Sequence, residues 1–135
     1  YIGITGYFEL TPSDNPSIDR LRQAWSSDLH GQNVIEDLMR LRDKFGKPVV
    51  FWEIGYQSKN GTNTYPWNYL KEGKKDEGEQ RDSWIGFLQA IKDKDWIHGF
   101  MAFAEQVGLP EDKPGYHGYN MLGKQVQTVF CNICQ

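Results

Sequence analysis

Three side chains with acid–base or hydrogen-bonding chemistry stand where apolar runs stop. Val49-Val50-Phe51-Trp52 leads straight into Glu53 and then Gly55, the run around Gly99-Phe100-Met101-Ala102-Phe103 closes on Glu105, and Tyr1-Ile2-Gly3-Ile4 is followed by Tyr7. Burying an unpaired carboxylate is expensive. A carboxylate that ends a hydrophobic strand is therefore turned to water, paired with an Arg or Lys, or kept there because its charge is used. From spacing alone, the ion pair and the functional charge are equally good accounts of Glu53.

Other chemistries have less support. There is no GxGxxG and no GxxxxGK[ST] to cradle phosphate, no G-x-S-x-G elbow, and no pair of His at i, i+4. No Asp/Glu/His cluster has metal-ligand spacing, so neither a metal nor another cofactor is expected. Cys131 and Cys134 form a lone CxxC, and a closed zinc site needs a second pair. These cysteines are read as thiols of a terminal helix. His30, His98 and His117 stand apart from one another and read as surface or packing residues. A formal charge of −3 provides no broad field for nucleic acid. No apolar run approaches the roughly 20 residues that span a bilayer, so no membrane insertion is expected. No basic, then apolar, then small-residue leader opens the chain. Asn60-Gly61-Thr62 is a glycosylation sequon, which hints at an extracellular or secreted protein.

The elements that would position these residues alternate. A strand from Tyr1 to Ile4 is followed by a turn-rich segment, Thr11-Pro12-Ser13-Asp14-Asn15-Pro16. Ser17 can cap a helix bearing Ile18, Leu21, Trp25 and Leu29, which Gly31-Gln32-Asn33 breaks. A second helix puts Ile35, Leu38, Leu41 and Phe45 on one stripe and stops at Gly46. The Val49 strand comes next, then a long polar loop from Gln57 to about Glu77 that holds Pro66, Trp67 and Tyr69. Its Lys71–Glu77 run reads as a solvated turn. A helix from about Glu79 to Lys92 carries Trp84, Phe87, Leu88 and Ile91, a third buried strand spans 96–103, and a last helix carries Val126, Val129, Phe130 and Ile133.

Strands alternating with helices imply parallel strands. Three such units leave two raw edges and an uncovered sheet face. A (β/α)8 TIM barrel takes about 250 residues, roughly 30 per unit. The 135 residues of this chain make three long units, which predicts the final portion of such a barrel, a single partial domain over 1–135. A compact, autonomous three-stranded α/β domain is the alternative. In a barrel the C-terminal ends of the strands carry the chemistry, which puts Glu53, Tyr7 and Glu105 on the active face.

The pattern resembles the C-terminal part, strands six to eight, of family 113 glycoside hydrolases, β-mannanases built on (β/α)8 barrels. Tyr1-Ile2-Gly3-Ile4 with Tyr7-Phe8 looks like the family's YIGIDAYF. Ala24-Trp25, Gly46-Lys47-Pro48-Val49-Val50-Phe51 and Glu53-Ile54-Gly55-Tyr56 resemble the approach to strand seven and its TEIGY ending. Pro66-Trp67-Asn68-Tyr69 is similar to PWNW, and Gly118-Tyr119-Asn120 with Gly123-Lys124 to GYS…GK. The departures are Thr5 for Asp, Gly6 for Ala, Trp52 for a small residue, and Gly99-Phe100-Met101-Ala102-Phe103-Ala104-Glu105 for GVFWWKW.

The resemblance implies a retaining glycosidase with Glu53 as nucleophile and Tyr7 as the hydroxyl that orients it. The acid/base Glu ends the family's fourth strand, to which nothing in this chain corresponds, so the remaining part of the barrel is an implied partner. Trp67 and Tyr69 can stack on sugar, Phe103 stands at the innermost sugar platform, and Trp52 adjoins the nucleophile. A polysaccharide or oligosaccharide, β-1,4-mannan or a relative, is the implied substrate. The competing expectation is a catalytically inactive glycosidase-like module with a carbohydrate-binding or structural role outside the cell.

Overall fold

The computed structural model describes residues 1–103 and 118–133. The elements run β1 (Ile2–Thr5), α1 (Ile18–Ala24), α2 (Val34–Phe45), β2 (Val49–Ile54), α3 (Glu77–Ile91), β3 (Ile97–Ala102) and α4 (Gln127–Ile133). The strands form one parallel sheet in the order β1-β2-β3.

The helices begin where their caps dictate. Ser17 Oγ accepts from the Arg20 N–H at 3.2 Å, Asn33 Oδ1 from Glu36 at 3.0 Å, and Asp76 Oδ1 from Glu79 at 2.8 Å. Each satisfies an amide that the first turn leaves without a partner. Gly46 ends α2 in the left-handed conformation at φ 61°, where a residue without Cβ pays no steric cost. α1 is shorter than its apolar spacing predicts. It stops at Ala24, and Leu29 lies in the following turn. Asp28 is the cause: its Oδ1 accepts from the His30 and Gln32 amides at 2.8 and 2.9 Å, a local turn that competes with helix continuation.

One face of the sheet carries the core. Trp25 stacks edge-on against Phe51 at 5.9 Å, Phe51 against Phe87 at 5.2 Å, and Phe100 lies between Phe87 and Trp84. Gly86 lets α3 close on α1, for a Cβ there would sit 2.7 Å from Leu21 Cβ. The opposite face is open. Trp52, Met101 and Phe103 project from it 54%, 49% and 40% exposed, and the Trp52 ring covers Gly3. The third strand is thus only partly buried, and on its helix side alone.

The Lys71–Glu77 run is a solvated turn, exposed over residues 71–75, but earlier in the same polar loop Gln57, Ser58, Lys59, Thr62, Asn63 and Thr64 are buried. Glu79 organises them: Oε1 accepts from both the backbone and side-chain amides of Asn63, and Oε2 from the Gly61 N–H at 2.9 Å. Burial pushes its carboxyl up, and those bonds oppose the shift. The sequon lies inside this network, with Thr62 Oγ1 accepting from the Gln57 N–H at 2.7 Å.

Candidate active site

Glu53 reaches the open side of the sheet through a break in strand alternation. Phe51 and Ile54 are both fully buried, three residues apart, although strict pleating would put them on opposite faces. The register supplies the reason. Ile4 pairs with Phe51 and Thr5 with Glu53, so Trp52 is an extra residue in β2, a bulge. It turns Trp52 and Glu53 away from the helices while Ile54 returns to the core. Bulges re-aim side chains in this way beside active sites.

The same register brings Tyr7 over Glu53. Gly6 N–H donates to the Glu53 carbonyl at 2.7 Å, extending the pairing one residue past β1. A Cβ at Gly6 would lie 2.8 Å from Phe51 Cδ1 and 3.2 Å from Ile54 Cβ, so a larger residue there fits only if those side chains shift. Tyr7 Oη then donates to Glu53 Oε1 at 2.8 Å. Burial, and the carboxylate it bonds, hold the Tyr7 phenol well above its usual range, so it stays a donor at neutral pH. Among the described residues no Arg or Lys forms an ion pair with Glu53.

Tyr119 is the participant to which sequence reasoning gave no role. Its ring packs against Tyr7 at 5.9 Å and Phe103 at 5.3 Å, and its hydroxyl donates to the Pro66 carbonyl. Burial, with the nearby Glu53 charge, pushes its phenol up to about 12. The sequence signal was its place in Gly118-Tyr119-Asn120, the segment similar to the family's GYS, which assigned the ring no role. Gly55 makes room for it, since a Cβ there would meet Tyr119 Cδ1 at 2.8 Å and the Phe103 carbonyl at 2.4 Å.

The structure therefore brings together Glu53, Tyr7, Phe103 and Tyr119. Trp67 follows the Pro66 that Tyr119 holds, half exposed, with Nε1–H donating to Glu9 Oε1 at 2.8 Å. Tyr69 projects from the same loop, 70% exposed. Trp52 stands beside Glu53 on the open face. Glu105 and His117 fall outside the described residues. His30, beyond α1, pairs with Glu9, and His98 lies within β3 with its ring edge-on to Tyr1 at 5.7 Å. Among the described residues no group of three or more His, Cys, Asp or Glu could hold a metal ion, and no helix is long and apolar enough to cross a membrane.

Residues 2–124 match Glycoside Hydrolase Family 113. The chain belongs to that family. Solved structures agree in fold. A GH113 β-mannanase, AaManA from Alicyclobacillus acidocaldarius in complex with ManMIm, superposes with TM-score 0.71 at 23% identity over 98% of this chain. A GH113 β-1,4-mannanase complex does so with TM-score 0.69 at 20% identity over 95% of it. The chain spans 37% and 36% of those two proteins. None of the curated proteins compared matches it. The three strands and their helices are thus part of a (β/α)8 barrel, and the open sheet face is the one that looks into the barrel.

Proposed function

We propose that this chain supplies the nucleophile side of a retaining β-glycosidase acting on β-1,4-mannan or a related polysaccharide. Glu53 is the nucleophile, Tyr7 aims it, and the acid/base carboxyl comes from a part of the barrel outside these residues. The observation that carries the proposal is the Tyr7 Oη–Glu53 Oε1 bond on a carboxylate with no ion pair among the described residues, at the C-terminal end of a barrel strand.

In the first step a Glu53 oxygen forms a bond to the anomeric carbon as the glycosidic C–O bond breaks, and the acid/base carboxyl protonates the departing oxygen. In the second, the same group deprotonates a water that attacks the anomeric carbon and frees Glu53. Retention needs the two carboxyls about 5–5.5 Å apart. An ionised, oriented nucleophile serves both steps, and a protonated Tyr7 maintains the orientation through both. Phe103 and Trp52 offer apolar surface on the inner face beside the reacting sugar, and Trp67 and Tyr69 in the loop above it. A polymeric substrate suits work outside the cell.

The test is covalent capture. A protein carrying the complete barrel is treated with a 2-deoxy-2-fluoro mannoside bearing a good leaving group. The adduct is expected on the peptide containing Glu53, and Glu53→Gln is expected to abolish turnover while sugar binding persists. Oligosaccharide binding with neither turnover nor adduct would favour an inactive carbohydrate-binding module. That alternative draws on Phe103, only 40% exposed, where the family carries Trp-rich sequence.

A further inference from the structure

The Glu9 carboxylate has each oxygen committed to a side chain from a different loop. Oε1 accepts from Trp67 Nε1–H at 2.8 Å, and Oε2 lies 2.7 Å from His30 Nε2. The Trp67 bond is the largest influence holding this carboxyl below its ordinary range. Both partners are themselves anchored. The Leu29 N–H donates to the Glu9 carbonyl at 3.0 Å, and Asp28 fixes the His30 backbone. On either side of Trp67, the Pro66 carbonyl accepts from Tyr119 Oη and the Asn68 carbonyl from buried Lys59 Nζ at 3.1 Å. A half-exposed indole is thus tied down at its edge and along its backbone, leaving its remaining surface free. Fixing a large apolar ring in water gains little for folding, because most of its surface is not removed from solvent. It does prepare a rigid stacking surface, whose ordering cost is already met before a ligand arrives.

We propose that Glu9 is a positioning residue that locks Trp67 as the platform of a separate hexose subsite, next to the sugar attacked by Glu53, with His30 as its outer clasp. The ligand is a pyranose unit of the same β-linked chain. Its C–H face lies on the indole, and its hydroxyls lie within reach of the Glu9 and His30 rim. Such a ring needs an apolar face flanked by a few fixed polar groups. The chain and packing support this placement: Glu9 is two residues beyond Tyr7, which bonds Glu53, so their Cα atoms lie at most about 7 Å apart, and Pro66, next to Trp67, accepts from Tyr119, whose ring packs on Tyr7. This inference rests on the glycosidase proposal and adds to it a residue, Glu9, at which neither the motifs nor the resemblance pointed.

The experiment measures length dependence in a protein carrying the complete barrel, with β-1,4-mannooligosaccharides from mannobiose to mannohexaose as probes. Dissociation constants are taken in the Glu53→Gln background, and KM and kcat in the otherwise unmodified protein. Trp67→Ala and Glu9→Ala are expected to weaken the long oligosaccharides about tenfold, or about 1.4 kcal/mol. The affinity for the shortest bound oligosaccharide should hold within about twofold. Glu9→Gln keeps an oxygen for the indole N–H and is expected to restore most of the loss. Equal losses for short and long sugars, no loss in Trp67→Ala, or a Glu9→Gln variant as weak as Glu9→Ala would overturn the proposal. Trp67→Phe guards against a folding artefact, because it retains a ring but lacks the N–H. It should fall between wild type and Trp67→Ala in affinity for long sugars only. Turnover surviving Glu53→Gln would reject the nucleophile and leave the length series to decide the subsite, since binding is read without chemistry.

Discussion

Replacing Tyr7 by Phe removes one oxygen and leaves the ring to pack against Tyr119 and Phe103, so it isolates the hydroxyl. A hydrogen bond to a charged group contributes about 1.5–3 kcal/mol. The Tyr7–Glu53 bond, at 2.8 Å, is slightly longer than the strongest O–H···O⁻ bonds, which places it towards the lower end of that range. If the bond aims Glu53 in the transition state, each 1.36 kcal/mol lost slows the reaction tenfold. Tyr7→Phe should therefore lower kcat about 10- to 100-fold. The assay is steady-state hydrolysis of a mannooligosaccharide by the complete barrel, with binding measured separately and folding checked by thermal unfolding. Affinity should hold within about twofold, because the hydroxyl faces the enzyme's carboxylate and not the sugar. A variant that folds normally with kcat within about twofold of the parent would refute the orienting role. Raised KM with unchanged kcat would refute it differently, by showing that Tyr7 holds substrate.

Three further outcomes follow from the packing. Gly86→Ala should cost about 1–3 kcal/mol in denaturant unfolding, since its methyl would sit 2.7 Å from Leu21 Cβ and force α1 and α3 apart; an unchanged midpoint would contradict that contact. Glu79→Ala strips the acceptor from three buried donors, each orphan costing about 1–3 kcal/mol, so stability should fall by at least about 2 kcal/mol, and protease should cut first within 57–76. Burial raises Tyr7, Tyr56 and Tyr119 above the ordinary value near 10. The unfolded chain then releases these protons first, so their contribution is complete below about pH 10 and declines as pH climbs through the folded values. Unfolding free energy measured from about pH 9 to 11.5 should fall with pH, and fall less steeply in Tyr7→Phe.

Much of the fold was legible because its signals are local. Cap residues, Gly46 after an amphipathic stripe, and three apolar runs separated by helical periods define the units, and their order implies parallel strands. Two things were not legible in the periodicity. The end of α1 depends on Asp28 accepting from amides ahead of it, a turn that outcompetes the apolar spacing reaching to Leu29. The early part of the loop after β2 is polar in composition, yet buried, because Glu79 lies sixteen and eighteen residues away from the amides that it binds. In the site, the strand-end position of Glu53 was readable, but its direction was not. Direction depends on the extra residue at Trp52, which exists only as a register mismatch between two strands. Tyr119 and Glu9 were silent for the same reason: their partners at Pro66 and Trp67 are fifty-three and fifty-eight residues away.

The two faces of this sheet divide the work. The helix side supplies an aromatic core around Trp25, Phe51, Phe87 and Trp84 that is complete within the chain. The Tyr7–Glu53 pair needs only β1, β2 and the glycine at 6, so its geometry is set by backbone pairing next to that core and not by the barrel interior. The interior side is different. Trp52, Met101 and Phe103 leave roughly half their surface to solvent, and exposed apolar patches mark interaction surfaces. The chain spans 36% and 37% of two solved structures of the same fold, and in a closed barrel further strands form the wall opposite this face. The Tyr7–Glu53 pair can therefore form within this chain, whereas Trp52 and Phe103 stay about half open in it. Substitutions at Tyr7 and Gly6 should thus disturb the carboxylate in this chain alone, and substitutions at Trp52 should act chiefly once the complete barrel is assembled.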